Sequence, residues 1–242
     1  MIRPELFHPR CTADQRGTGL AGCPRLRRSA AIPAGLLVLA LLIAGTPAAA
    51  ASITWTGKVS NNWQDTGNWD SGATPGPSDT AAISAGAAIT VPSGVTLSGL
   101  ELGGATLLGG DITVTKLMDW TSGTVSSKLT VPQGSQLNLS GDTDKALLNA
   151  TLNNAGTVTW TGKGRLVFTS STLNNSGLFD CQSDSLLVGW LAGPQVFNNT
   201  GTFRKSAGDG ATQFTNGCQL NNSGIVETDT GSLLFPGYTH TF

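Results

Sequence analysis

Charge is scarce in this chain: only 12% of its residues are Asp, Glu, Lys or Arg. Residues 1–51 hold six of the 14 basic residues and two of the 15 acidic ones, so the remainder carries eight bases, 13 acids and a formal charge of −5. Proteins that bind nucleic acid present a cluster of basic side chains to the phosphates. Because Lys and Arg are few and scattered here, we expect no nucleic-acid partner.

Helical periodicity is also missing after residue 52. Long helices need Ala, Leu, Glu, Lys and Arg in periodic faces. Here Val, Ile, Leu, Phe and Trp occur instead in short bursts interrupted by Ser, Asn and the 32 glycines of the chain. Such bursts are typical of short strands joined by tight turns, so the composition predicts an all-β fold.

Side chains that usually carry catalysis are sparse. His240 is the only histidine after residue 51, and the chain has no G-x-S-x-G, H-E-x-x-H or P-loop motif. Polysaccharide hydrolases need paired carboxylates, and the most closely spaced acids are Asp142 with Asp144 and Glu227 with Asp229. Exposed edges or turns are the simpler explanation of such pairs. We expect no enzyme, no cofactor and no metal; a polysaccharide-active β-helix enzyme with an acidic site around Asp142 and Asp144 is the lesser alternative.

The N-terminal region has the pattern of a secretory leader. The basic segment "RLRR" precedes an apolar run of about a dozen residues and then "TPAAAAS", which is the order of a signal peptide. The run is shorter than the ~20 residues that a membrane span needs. We therefore predict that residues 1–51 are an N-terminal extension plus signal peptide, cleaved after Ala50 or Ala51, and that the protein is secreted or displayed at the cell surface.

One motif, apolar-Asn-Asn-small-Gly, recurs four times. It begins at Leu152, Leu173, Phe197 and Leu220. A period of about 22 residues suits one coil of a parallel β-solenoid, in which three short strands are joined by turns. Asn and Gly adopt left-handed backbone conformations readily, so the motif predicts a corner where stacked Asn amides form a hydrogen-bonded ladder. The predicted corner residues are Asn153, Asn154, Gly156, Asn174, Asn175, Gly177, Asn198, Asn199, Gly201, Asn221, Asn222 and Gly224.

The predicted fold is an all-β, single-stranded parallel β-helix (β-solenoid) of roughly six to eight coils over residues 94–242. The sequence stops at "LLFPGYTHTF", which has the pattern of the middle of a coil. We therefore expect an apparent C-terminal truncation, with self-association through the uncapped coil. Residues 52–93 are expected to form an irregular, aromatic-rich N-terminal cap.

Two pairs of residues after residue 51 each allow two interpretations. Trp63 and Trp69 are either buried in the cap, as Trp usually is, or form the sugar-stacking surface of a carbohydrate-binding module.

Cys181 and Cys218 are the two cysteines after residue 51, and in an oxidising compartment they suggest one disulfide. Their offsets from the nearest repeat place them on different sides of a coil, so two separately buried thiols are at least as good a prediction.

A Trp-rich run stands at 55–83, and it is followed by "WTSGTV", "LNLSG", "LNNAGTVTWTGKG", "FNNTGTFRKSAGDGAT" and "LNNSGIVETDTGSLLF". These segments resemble the repeats of bacterial secreted β-solenoid proteins, which are adhesin-like or autotransporter-passenger-like. The resemblance covers most of residues 53–237. It implies a non-catalytic structural or adhesive protein, secreted or at the cell surface, whose stacked polar faces contact glycans or cell-surface proteins.

Overall fold

The computed structural model describes residues 50–84, 86–190, 193–236 and 240–242. The predicted extension and signal peptide therefore lie outside the described residues, except for Ala50 and Ala51. Among the residues that the structure describes, no helical segment has the length and hydrophobicity needed to cross a membrane.

The described chain contains one 3-10 helix, Thr66–Asn68. The strands are β1 (Ser52–Thr54), β2 (Thr80–Ile83), β3 (Ala88–Val91), β4 (Val95–Gly109), β5 (Ile112–Ser126), β6 (Lys128–Val131), β7 (Gln136–Leu139), β8 (Lys145–Leu148), β9 (Thr151–Asn154), β10 (Thr157–Trp160), β11 (Leu166–Thr169), β12 (Ser171–Asn175), β13 (Leu178–Cys181), β14 (Leu186–Gly189), β15 (Gln195–Asn199), β16 (Thr202–Lys205), β17 (Ala211–Thr215), β18 (Cys218–Asn222), β19 (Ile225–Thr228) and β20 (Ser232–Leu234).

Equivalent strands of successive coils pair in parallel and form three faces. Face 1 contains the first parts of β4 and β5, then β6, β9, β12, β15 and β18. Face 2 contains β1, β2, the middle of β4 and β5, then β7, β10, β13, β16 and β19. Face 3 contains β3, the last parts of β4 and β5, then β8, β11, β14, β17 and β20. The stack makes about seven turns, which confirms the predicted parallel β-solenoid. Strands β1, β2 and β3 already belong to it.

Alternation along each strand decides which side chains enter the core. In β10, Trp160 points inward and is fully buried, whereas Thr159 lies half-buried on the outside. Because the parallel pairing keeps its register from coil to coil, Val158 of β10 lies directly below Phe179 of β13. Trp120 is fully buried as well, so both tryptophans belong to the core.

The later coils fill the core with phenylalanine rings. Ring centroids of neighbouring residues are 5.0 to 5.9 Å apart, and most of the pairs are tilted or edge-to-face. Such contacts add stabilisation to the burial of apolar area. The rings belong to Phe179, Phe197, Phe203 and Phe214.

The Asn-Asn-x-Gly motif forms the corner between faces 1 and 2, as predicted, but the left-handed conformations lie elsewhere. None of the described Asn or Gly residues of this corner has a positive φ. Among the non-glycine residues that the structure describes, positive φ occurs between faces 3 and 1, at Asn149 (50°), Ser170 (47°) and Asn216 (51°). The prediction of a corner was right, and the backbone reason given for it was wrong.

Close stacking is the reason for glycine at this corner. A Cβ on Gly177 would lie 2.1 Å from the carbonyl oxygen of Gly156, one coil earlier. A Cβ on Gly201 or on Gly224 would lie 2.2 Å from the carbonyl oxygen of the preceding corner glycine. Real side chains do not tolerate such distances, so the repeat requires glycine for the approach of backbones rather than for its conformational freedom.

Two fully buried lysines hold the corner between faces 2 and 3. Lys145 Nζ donates to the carbonyl oxygens of Gly141 (3.1 Å) and Thr143 (2.9 Å). Lys205 Nζ donates to the Asp184 carboxylate at 2.7 Å and to two loop carbonyls. Burial lowers the pKa of Lys145. Each ammonium group therefore ties an irregular loop to the coil, and burial is possible because its hydrogen bonds are made.

Candidate functional site

Alternation sends the two asparagines of each corner to opposite sides of the strand. The second Asn points inward and forms an inner ladder, and the first points outward and forms an outer ladder. The amide ladder predicted from the sequence is thus confirmed, in two copies. The inner ladder is Asn154, Asn175, Asn199 and Asn222; the outer ladder is Asn153, Asn174, Asn198 and Asn221.

The inner ladder is a buried and well-satisfied network. Asn175 Nδ2 donates at 2.7 Å to Asn199 Oδ1 in the next coil and at 2.9 Å to the carbonyl oxygen of Thr202. Its own Oδ1 accepts from Asn154 Nδ2 at 2.7 Å. A carbonyl oxygen only accepts hydrogen bonds, so Thr202 fixes which end of the amide points to the next coil. Because Asn175 is only 1% exposed, these bonds stabilise the stack in a low-dielectric interior.

The outer ladder runs in the opposite direction. Each Nδ2 donates at 2.9 Å to the Oδ1 of the preceding coil, as Asn174 does to Asn153 and Asn198 does to Asn174. A primary amide offers two donor hydrogens and two acceptor lone pairs. The ladder uses one of each at Asn174, so one N–H and one lone pair remain for solvent or a ligand.

Threonines of the earlier coils continue the outer ladder along face 1. Register pairing aligns these residues one per coil, about 4.8 Å apart along the axis, and all of them are neutral. We call this line the outer row. It contains Thr96, Thr113, Thr130, Asn153, Asn174, Asn198 and Asn221.

Sequence analysis identified only the asparagine half of the outer row. The threonine half has its own signal, an apolar-Thr-apolar triplet that recurs at equal intervals and is centred on Thr96, Thr113 and Thr130. Alternation of buried and outward residues in these triplets places the hydroxyls outside. The signal was missed because the early coils are shorter than the repeats that follow.

Trp63 and Trp69 do not form a sugar-stacking surface. Each is only 2% exposed, and the Trp69 indole N–H donates to the carbonyl oxygen of Trp63 at 2.8 Å. The ring of Trp69 packs edge-on against Trp63 and Trp55, with centroids 4.7 and 5.0 Å apart. The three rings form the core of the predicted N-terminal cap, so the ring faces of Trp63 and Trp69 are covered by protein.

A cleft of about 460 Å³ lies where the N-terminal cap meets the turn that leads into β4. We call it the cap cleft. Trp63 forms part of its wall, and Thr96, the first residue of the outer row, forms another part. The cleft therefore opens onto face 1. Its lining residues are Trp63, Gln64, Thr74, Pro75, Gly76, Pro77, Pro92, Ser93, Gly94, Val95 and Thr96.

A second groove, of about 390 Å³, runs along face 2. It brings together Glu101 and Asp119, which are register partners in β4 and β5. Asn138 Nδ2 donates to Asp119 Oδ1 at 2.7 Å. Sequence reasoning missed this pair because the two acids are a full coil apart in the chain, and only the register of the solenoid places them side by side.

Asp142 and Asp144 do not form a free carboxylate pair. Asp144 accepts hydrogen bonds from the Arg165 Nε at 2.9 Å and from the Arg165 backbone N–H at 2.8 Å. The hydrogen bond from the Arg165 guanidinium lowers the pKa of Asp144, so this carboxyl group is ionised at neutral pH and is unsuited to act as a general acid. Asp142 Oδ1 accepts a long bond, 3.4 Å, from the backbone N–H of Lys163.

Cys181 and Cys218 are both buried and free, so the disulfide alternative is not present and the alternative of two separate thiols is confirmed. Cys181 lies on face 2 in β13, and Cys218 lies on face 1 in β18. Burial raises the pKa of the Cys181 thiol and raises that of Cys218 to about 12.

Both thiols are therefore expected to be inert in the folded protein, because the thiolate is the reactive form. Alkylation followed by peptide mass spectrometry should find neither Cys181 nor Cys218 labelled at pH 7.5 without denaturant. Both should be labelled in guanidinium chloride without a reductant. Labelling of either thiol in the folded protein, or a need for reductant in the denatured one, would contradict this arrangement.

Comparison with family models, with curated proteins and with solved structures finds no match to this chain. The faces of the solenoid and the groups that they expose are therefore the features that indicate its function.

Proposed function

We propose that this protein is a non-catalytic structural or adhesive β-solenoid of bacterial origin, secreted or held at the cell surface, which presents its outer row to glycans. The outer row carries the proposal. It offers one neutral hydroxyl or amide group per coil over seven coils, and its amides keep unused donors and acceptors. A chain of sugar hydroxyls, which both donate and accept, is the matching chemistry.

The ion pairs of the solenoid support the non-catalytic part of the proposal. Asp144 pairs with Arg165, as described above, and Asp180 pairs with Arg204 at 2.9 Å. Asp180 is largely buried, which raises its pKa, but hydrogen bonds from Arg204, Ser206 and Gln182 outweigh that effect and the pKa is lowered. These carboxylates hold neighbouring coils together and stay ionised, which is a structural use of charge.

Removal of outward amides should weaken glycan binding without unfolding the protein. The double variant Asn174→Ala/Asn198→Ala deletes two neighbouring groups of the outer row, and each neutral hydrogen bond contributes about 1 kcal/mol, so an affinity loss of about thirtyfold is expected. The measurement is binding to a panel of immobilised neutral glycans, followed by calorimetry on the best of them.

Asn138→Ala is the matched control, because it removes an outward amide from face 2. Its glycan affinity should equal that of the unmodified protein. The proposal fails if the folded protein binds no neutral glycan, or if the double variant on face 1 binds as well as the control.

A further inference from the structure

The cap cleft is the concave site at the start of the outer row. Its volume of about 460 Å³ falls within the range of pockets that hold small ligands. Pockets of this kind combine apolar walls with a few polar groups that fix the orientation of the ligand. The composition of the cap cleft therefore indicates what class of ligand it accepts.

No residue lining the cap cleft in the described chain has an ionisable side chain. An anionic or cationic ligand would have no charged side chain to pair with there. The polar side chains are the hydroxyls of Thr74, Ser93 and Thr96 and the amide of Gln64. Groups of this kind donate and accept hydrogen bonds without charge, which suits a neutral ligand that carries several hydroxyl groups.

The walls between these polar groups are apolar. Pro77 and Pro92 contribute rigid rings with C–H surfaces, and Pro75 and Trp63 line the cleft from buried positions. The cleft thus combines C–H surface with hydroxyl and amide groups, which are complementary to the apolar face and the polar rim of a sugar ring.

The position of Thr96 connects the cleft to the outer row. Thr96 lines the cleft and is also the register partner of Thr113, the next residue of the row. A ligand unit seated in the cleft is therefore next to the first hydroxyl of the row. We infer that the cap cleft binds one ring of a neutral glycan, and that the rest of the glycan extends from it along face 1. This inference rests on the proposed function and adds to it a fixed starting point and a direction.

The test uses monosaccharides and short and long oligomers of the neutral glycan that binds best, titrated into the purified protein. Ser93→Ala/Thr96→Val removes two hydroxyls from the cleft and keeps the β-branched shape at Thr96. Each lost hydrogen bond corresponds to about a three- to tenfold loss of affinity, so a loss of at least tenfold is expected for every ligand length. Thr159→Val is the matched control, because it removes an outward hydroxyl from face 2, outside both the cleft and the outer row.

Three results decide the inference. Monosaccharide binding that is lost in Ser93→Ala/Thr96→Val and kept in Thr159→Val supports it. Long oligomers that bind through the asparagine part of the row, with no effect of the cleft variant, overturn the cleft and leave the proposed function standing. No binding of any neutral saccharide by the folded protein overturns both. Equal thermal unfolding midpoints of the variants and the unmodified protein establish that a lost signal is not lost folding.

Discussion

Replacement of Gly177 by alanine is expected to lower the free energy of unfolding by about 3 kcal/mol, which is at the upper end of the usual cost of overpacking. The added Cβ would lie 2.1 Å from the carbonyl oxygen of Gly156 and 2.7 Å from the carbonyl carbon of Ala155. Both contacts are to backbone atoms of the preceding coil, so no side chain can rotate away. The coils must separate locally, which also strains the amide ladders beside them. Chemical denaturation followed by circular dichroism measures the loss.

Gly86→Ala is the control for this prediction. A Cβ at Gly86 has its nearest neighbour at 3.7 Å, and the φ of this residue is not positive. Its effect should stay within about 0.5 kcal/mol, as for most exposed positions. Equal unfolding free energies of the Gly177 and Gly86 variants would show that the corner does not need glycine for close stacking.

Replacement of Asn175 by alanine should lower the free energy of unfolding by a similar amount, about 3 kcal/mol, because it leaves several buried polar groups without partners. Asn199 Oδ1 loses its donor from the preceding coil, and the carbonyl oxygen of Thr202 loses a bond of 2.9 Å. Asn154 keeps a bond to the carbonyl oxygen of Leu178 but loses its acceptor in the ladder. Water cannot replace these bonds, since the site is closed to solvent.

The neighbouring residue is the natural control, because Asn174 makes ladder bonds of nearly the same length on the outside of the same strand. Water can take the place of the lost amide there, so Asn174→Ala should cost at most about 1 kcal/mol. Denaturation curves of the two variants, measured side by side, test the difference. A larger loss for Asn174→Ala than for Asn175→Ala would contradict the assignment of the inner ladder.

The repeat made much of this fold predictable. A motif that returns once per coil, with Asn, Asn and Gly in fixed places, leads directly to stacked coils and to amide ladders. Apolar residues recur two positions after the glycine, as at Val158 and Phe179, and these two are fully buried. These features follow from the order of residues within each repeat and from the regular return of the repeat, and a single sequence shows both.

Features that depend on the distance between coils were not predictable in the same way. The need for glycine at Gly177 comes from the approach of a backbone segment one coil earlier in the chain, which no local propensity records. The pairing of Glu101 with Asp119 depends on the register of β4 and β5. The cap cleft joins three separate segments, around Trp63, Pro75 and Ser93, and none of them contains a recognisable motif.

The burial of Trp63 and Trp69 also required the structure. Three tryptophans within a short irregular segment are compatible with an exposed binding platform or with a packed cap, and composition does not separate the two. The edge-on packing of Trp69 between Trp63 and Trp55 decides for the cap. The ring faces of Trp63 and Trp69 are therefore excluded as a sugar-binding surface, and we propose the outer row and the cap cleft instead.

We propose that each Asn-Asn corner has two roles, in which the inner amide stabilises the stack and the outer amide is available to a glycan. The most direct test measures both unfolding free energy and glycan affinity for Asn175→Ala and for Asn174→Ala/Asn198→Ala. We expect the inner variant to lose about 3 kcal/mol of unfolding free energy and to bind glycan within about twofold of the unmodified protein. We expect the outer variant to lose about thirtyfold in affinity and little stability. If stability and affinity fall together in both variants, or if the inner variant alone loses glycan, the division is contradicted.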